Sequence, residues 1–79
     1  MNQKRIPKQH QQRLIAISTY LRELRFSEGM TQEELSHNLN LHRNTLQRVE
    51  NGENTTLLTI FELADVFDIK MSQLFEVLD

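Results

Sequence analysis

At 79 residues, 38% of them apolar and none a cysteine, the chain is sized for one domain with a small core, and disulfides, thiolate chemistry and cysteine zinc sites are excluded. Its formal net charge of −2 hides a division: residues 1–52 carry eight Lys and Arg against five acids, a balance of +3, whereas residues 53–79 carry Lys70 against six acids, a balance of −5. No apolar run approaches the roughly eighteen residues of a membrane span, and the basic start MNQKRIPKQHQQ precedes no apolar stretch like that of a signal peptide, so a cytoplasmic location is expected.

Helical signals fill the chain, punctuated only by Pro7, Gly29 and Gly52. Pro7 suits a first helical position, and Leu14, Ile17, Leu21 and Leu24 repeat at the helical period until Gly29 closes the segment. Residues 1–13 form a basic, polar leader expected to be partly helical; residues 14–79 form the domain proper. Thr31 and Glu34 make the T-x-x-E pattern of a capping box, which starts a short second helix carrying Leu35 and Leu39. Asn38 and Asn40 then mark a turn, because asparagine tolerates the left-handed conformation.

The third helix is expected from about His42 to Asn51. At about 100° per residue, Arg43, Asn44, Gln47 and Arg48 fall within roughly 140° of arc, while Leu46 and Val49 fall on the opposite side. Long donors and amides set away from the core are what base-edge reading requires, since arginine grips guanine bidentately and asparagine or glutamine does the same with adenine. An ordinary solvated face has the same composition, so the surroundings must decide between the two.

The fourth helix, about Leu57 to Phe67, gathers Ile60, Leu63, Ala64 and Phe67 on one side and leaves Leu58, Phe61 and Val66 outside that arc. Met71, Leu74, Phe75 and Leu78 follow at i, i+3, i+4, i+7 in a fifth helix. So many apolar residues on a short chain predict an interface, and Phe61, Met71, Phe75 and Leu78 are the residues expected in a homodimer. Catalysis lacks a site: Ser, Thr and His are accompanied by no nucleophile motif, glycine-rich phosphate loop or paired acids. His10, His37 and His42 are joined by no carboxylate or cysteine at ligand spacing, so neither a metal nor a cofactor is expected.

The stretch RELRFSEGMTQEELSHNLNLHRNTLQRVENGENTTLLTIFELADVFDIKMSQLF, residues 22–75, resembles the Cro and phage-repressor class of helix-turn-helix proteins, the Xre family. R-x-x-x-G-M-T-Q-E-E-L, the spacing L-x-x-x-L, VENG and the closing LADVFDI…LF carry the resemblance. It implies an all-α, five-helix, lambda-repressor-like DNA-binding domain, with the second and third helices forming the helix-turn-helix and the third lying in the major groove of double-stranded DNA. By matching position, Arg43, Asn44 and Arg48 approach bases, Gln32 caps the second helix or bridges to phosphate, and Asn51 reaches the DNA backbone. Arg25 and Glu50 match a partly buried ion pair between the first and third helices.

Departures from the family pattern are local. Asn40 replaces the usual turn glycine; His42 stands where a Ser or Thr cap is usual and is expected to address phosphate or solvent; Glu53 replaces a common basic residue and weakens attraction to the backbone. Thr56 remains able to cap the fourth helix. Lys4, Arg5 and Lys8, ahead of the matching region, suit an arm along the DNA backbone or in a minor groove. The same stretch also looks similar to antitoxins that restrain Hip-type kinase toxins and to restriction-modification controller proteins, so a DNA-binding adaptor with a toxin partner stands as the alternative to a homodimeric regulator.

Overall fold

The computed structural model describes residues 5–78, which form five helices and, among the described residues, no strand. They are α1 (Lys8–Ser27), α2 (Gln32–Asn38), α3 (Arg43–Glu50), α4 (Leu57–Val66) and α5 (Met71–Glu76). The expected boundaries hold to within a residue or two, with physical reasons for each difference. Pro7 is the N-cap of α1 and not its first helical residue: its backbone is extended, and its carbonyl accepts from the amides of His10 and Gln11 at 3.0 and 2.9 Å. His42 likewise stands before α3, with φ −65° and ψ 137°, and caps it.

Each helix contributes to one core. Leu21 of α1, Leu35 of α2, Leu46 and Val49 of α3, Ile60 and Leu63 of α4 and Leu74 of α5 are all buried in a single cluster. Ile17, Leu24, Leu39, Phe67 and Met71 pack around it half-buried. Helix α1 lies against α3 and α5, α2 against α3, and α4 against α5. Met71, expected at an interface, therefore spends much of its surface on the core, whereas Phe61 and Phe75 remain exposed.

The helix ends follow a common plan. After α1, α2, α3 and α4 the chain turns through a left-handed residue, respectively Gly29, Asn40, Gly52 and Asp68, with φ between 52° and 79°. In each case two amides turn back onto the last turn, as in the pair Gly29 to the Phe26 carbonyl and Met30 to the Arg25 carbonyl. Asn40 thus does what a glycine would do there, at the cost of a left-handed asparagine. Asp68 takes the same role without having been anticipated from sequence. At the helix starts, the Thr31–Glu34 capping box is reciprocal: Glu34 N–H donates to Thr31 Oγ1 at 3.1 Å, and Thr31 N–H donates to Glu34 Oε1 at 2.9 Å. The Thr31 backbone amide first, and the Thr31 hydroxyl second, hold the Glu34 carboxyl below its usual pKa range. Thr56 caps α4 by accepting from the Thr59 amide at 3.2 Å.

Gly52 has a second constraint that Gly29 lacks. A Cβ on Gly52 would come within 2.8 Å of Ile15 Cγ1 and 3.3 Å of Ile15 Cα, whereas one on Gly29 would meet nothing within 4 Å. Both positions demand a positive φ, so alanine at either carries the left-handed penalty, but only Gly52→Ala must also push the end of α3 off α1. Chemical denaturation should find Gly52→Ala less stable than Gly29→Ala by about 1–3 kcal/mol. Equal losses would mean that α1 and the end of α3 yield freely at this contact.

Candidate nucleic-acid interface

Helix α3 separates its side chains as the helical wheel predicts. Leu46, Val49 and Glu50 are buried, Arg43, Asn44 and Arg48 are exposed, and Gln47 is half-buried. Because α3 is held from behind by α1 and from the side by α2, its polar face is presented on a fixed frame.

That frame is fastened by a buried ionic network. Arg25 donates through Nε to Glu50 Oε2 at 2.7 Å and through Nη2 to Oε1 at 3.0 Å, while its Nη1 donates to the Met30 carbonyl at 2.8 Å. The pair is nearly sequestered from solvent, with side chains 8% and 3% exposed. Gln32 Nε2 adds a third donor to Glu50, at 3.0 Å from Oε1. Arg22 Nη1 reaches the Glu50 carbonyl at 3.3 Å, where a cation also suits the negative end of the α3 dipole. The ends of α1 and α3 and the start of α2 thus meet on one carboxylate. Among the described residues, no buried side-chain nitrogen or oxygen lacks a partner.

The sequence-derived site residues fall into distinct environments. Gln32 does not cap α2, a role Thr31 fills; its amide is instead the link between α2 and Glu50. His42 Nδ1 accepts the Asn44 amide at 3.2 Å, so the cap that looked poor from sequence is made. An accepting Nδ1 fixes the neutral ring as the tautomer with hydrogen on Nε2, leaving a donor at the opposite edge. Asn51 is the exposed C-cap of α3. In the leader, Arg5 and Lys8 are exposed, and Lys4 lies outside the described residues. Ile6 and Gln11 border the same groove as Arg48, Asn51 and Asn54, so this part of the leader lies beside the end of α3.

Two carboxylates pair with the arginines of this face: Glu33, for which the sequence gives no signal, and Glu53, expected near the DNA backbone but not as a partner of Arg48. Arg43 Nη1 donates to Glu33 Oε1 of α2, and Arg48 Nε donates to Glu53 Oε1 just beyond α3, each at 3.1 Å and each largely exposed. Glu33 and Arg43 are ten residues apart and meet only through the turn between helices, for which no local pattern speaks. Glu53 was legible in principle, because a left-handed residue at 52 returns position 53 toward position 48.

Comparison with known proteins agrees with this geometry. The helix-turn-helix family HTH_3 matches residues 21–74, which span all of α2, α3 and α4, most of α5 up to Leu74, and the final third of α1. An uncharacterized HTH-type transcriptional regulator of Archaeoglobus fulgidus is 38% identical over 58 residues, covering 72% of this chain and 83% of the relative. Among the described residues no helix is long and apolar enough to cross a membrane.

Proposed function

The chain belongs to the helix-turn-helix family of Cro and phage-repressor type, and from that premise we propose that it regulates transcription by binding a pseudo-palindromic operator as a homodimer. The observation carrying this reading is the two-sided α3: its apolar side is sunk in the core, and its outer side offers Arg43, Asn44, Gln47 and Arg48. In the major groove, the two arginines suit guanine O6 and N7, and the two amides suit adenine N6 and N7.

Around that centre, backbone contacts have natural candidates. The second hydrogen of Gln32 Nε2, the Nε2–H edge of His42 and the Asn51 side chain are donors suited to phosphate oxygens. Lys4, Arg5 and Lys8 would extend the contact along the backbone from the groove that the leader shares with the end of α3. The adaptor alternative gains nothing from the relative, whose name speaks only of transcriptional regulation.

Selection of bound duplexes from a random DNA pool tests the reading, and a single enriched motif with two-fold symmetry is the expected result. On that motif Arg43→Ala or Arg48→Ala should cost about 1–3 kcal/mol of binding and relax preference at one position per half-site. Asn51→Ala should weaken preferred and random duplexes alike. A pool that shows no enrichment, or arginine variants that weaken every duplex equally, would leave α3 as a phosphate-binding helix and overturn base reading.

A further inference from the structure

Four helices of this fold end with the same backbone turn, and three of them place an apolar residue just after the left-handed position: Met30, Leu41 and Ile69, each half-buried against the core. After α3 that position is Glu53, which is exposed. It faces Arg48 instead, the residue to which the turn returns it. The pair is fastened twice, by the Glu53 amide donating to the Arg48 carbonyl at 3.0 Å and by Arg48 Nε donating to Glu53 Oε1 at 3.1 Å. The loop bearing Glu53 is fixed in turn by Gly52 against Ile15. An exposed ion pair ordinarily gives back most of its attraction in side-chain entropy; here the backbone has already brought the partners together.

We propose that Glu53 is a specificity-determining residue of the DNA-binding face, and Glu33 its counterpart at the other end of α3, each orienting a base-reading arginine while opposing its capture by phosphate. The inference rests on the reading of α3 as the base-contacting helix. Glu53 occupies the Nε of Arg48, and among the described residues neither terminal nitrogen has a protein acceptor, so the Nη1/Nη2 fork remains for guanine O6 and N7. Glu33 occupies Nη1 of Arg43 and leaves the Nε/Nη2 edge, which is also a fork. A guanine edge can therefore be gripped with the carboxylate still in place. A phosphate, by contrast, attracts the arginine through charge, and that charge is largely compensated by the adjacent carboxylate. The glutamates thus reduce affinity for arbitrary DNA more than affinity for a site with guanine at the right position.

Glu53→Gln and Glu33→Gln test this in the full chain, because both positions are exposed and the amide conserves size. Thermal unfolding first verifies an unchanged fold. Dissociation constants are then measured at one salt concentration on the selected operator, on the operator with the Arg48-dependent base pair replaced, and on random duplex. Glu53→Gln should bind random and replaced duplexes about two- to fivefold tighter while changing less on the operator, so that discrimination falls. In an Arg48→Ala background the same change should leave base preference where it was. Equal tightening on all three duplexes would reduce Glu53 to a general charge effect, and no change on any would remove it from the face; either result overturns the inference. An operator preference that depends on Arg48 but ignores Glu53 refutes this inference alone, whereas the absence of any preference in the unaltered chain refutes base reading itself.

Discussion

Glu50→Ala is expected to cost about 3–5 kcal/mol in folding stability, the penalty for removing one member of a buried ion pair and leaving the other charged. The guanidinium of Arg25 would remain 7% exposed with only the Met30 carbonyl as acceptor, and Gln32 would lose its partner as well. A domain of this size has about 4–12 kcal/mol in total, so the variant should be partly unfolded near physiological temperature. Arg25→Met should be similarly damaging, because it leaves a Glu50 carboxylate only 2% exposed without its cation and with Gln32 as its one side-chain donor. Making both sites apolar, as Arg25→Met with Glu50→Leu, should recover much of the loss, since the desolvation cost of both charges disappears with their attraction. Urea unfolding of the unaltered chain, Arg25→Met, Glu50→Leu and the double variant forms a double-mutant cycle with a large coupling term. Independent, additive losses below about 1 kcal/mol would show that the two charges do not share a dry site.

The recovered double variant should nevertheless bind operator less well. Glu50 is the point where α1, α2 and α3 are cross-tied, through Arg25, Gln32 and Arg22. An apolar replacement can fill the volume and keeps the Arg22 bond to the backbone carbonyl, but it loses the two Arg25 bonds and the Gln32 bond that direct α1 and α2 onto α3. Stability and recognition therefore separate at this position, and the network's value to function is geometric.

Much of this architecture was legible because short-range chemistry dictates it. The capping box at Thr31 and Glu34, the closing Gly29 and the left-handed Asn40 are local patterns whose reach is three to five residues, and each is realised. The opposed faces of α3 follow from its period alone. What eluded sequence reasoning depends on tertiary placement or on a poor local propensity. The family resemblance implies that Gln32 caps α2 or bridges to phosphate; Thr31 takes the cap, and the bond from Gln32 to the Glu50 carboxylate, eighteen residues away, has no local signal. Asp68 was not read as a turn residue because aspartate enters the left-handed region less readily than asparagine or glycine; the turn is imposed by Ile69, half-buried against the core just beyond it. The carboxylate partner of Arg43, Glu33, likewise emerges only once α2, the turn and α3 are assembled.

The acidic half of the chain must coexist with DNA. On and around α4 and α5, Leu57, Leu58, Phe61, Val66, Phe75 and Val77 are exposed, with Leu58 at 65% and Phe61 at 44%. If this surface joins two protomers, the paired α3 helices can read half-sites roughly 34 Å apart, and residues 54–79, with five acids against Lys70, gather near the dyad, away from most phosphates, while Glu53 stays beside Arg48. Phe61→Glu or Phe75→Glu should then yield a folded monomer in sedimentation, because neither ring belongs to the buried core. Affinity for the full palindrome should fall at least about a hundredfold as the second half-site contact ceases to be intramolecular, while affinity for an isolated half-site should hardly change. Salt separates the two equilibria further. Added salt screens the mutual repulsion of the acidic segments and should strengthen dimerisation, yet it weakens DNA binding by reducing the gain from counterion release. A dimer that survives both substitutions would move the interface to another surface, with Ile15 on α1, 47% exposed, the next place to introduce a charge. Monomers that bind the full site as tightly as the unaltered chain would remove two-fold symmetry from the mechanism altogether.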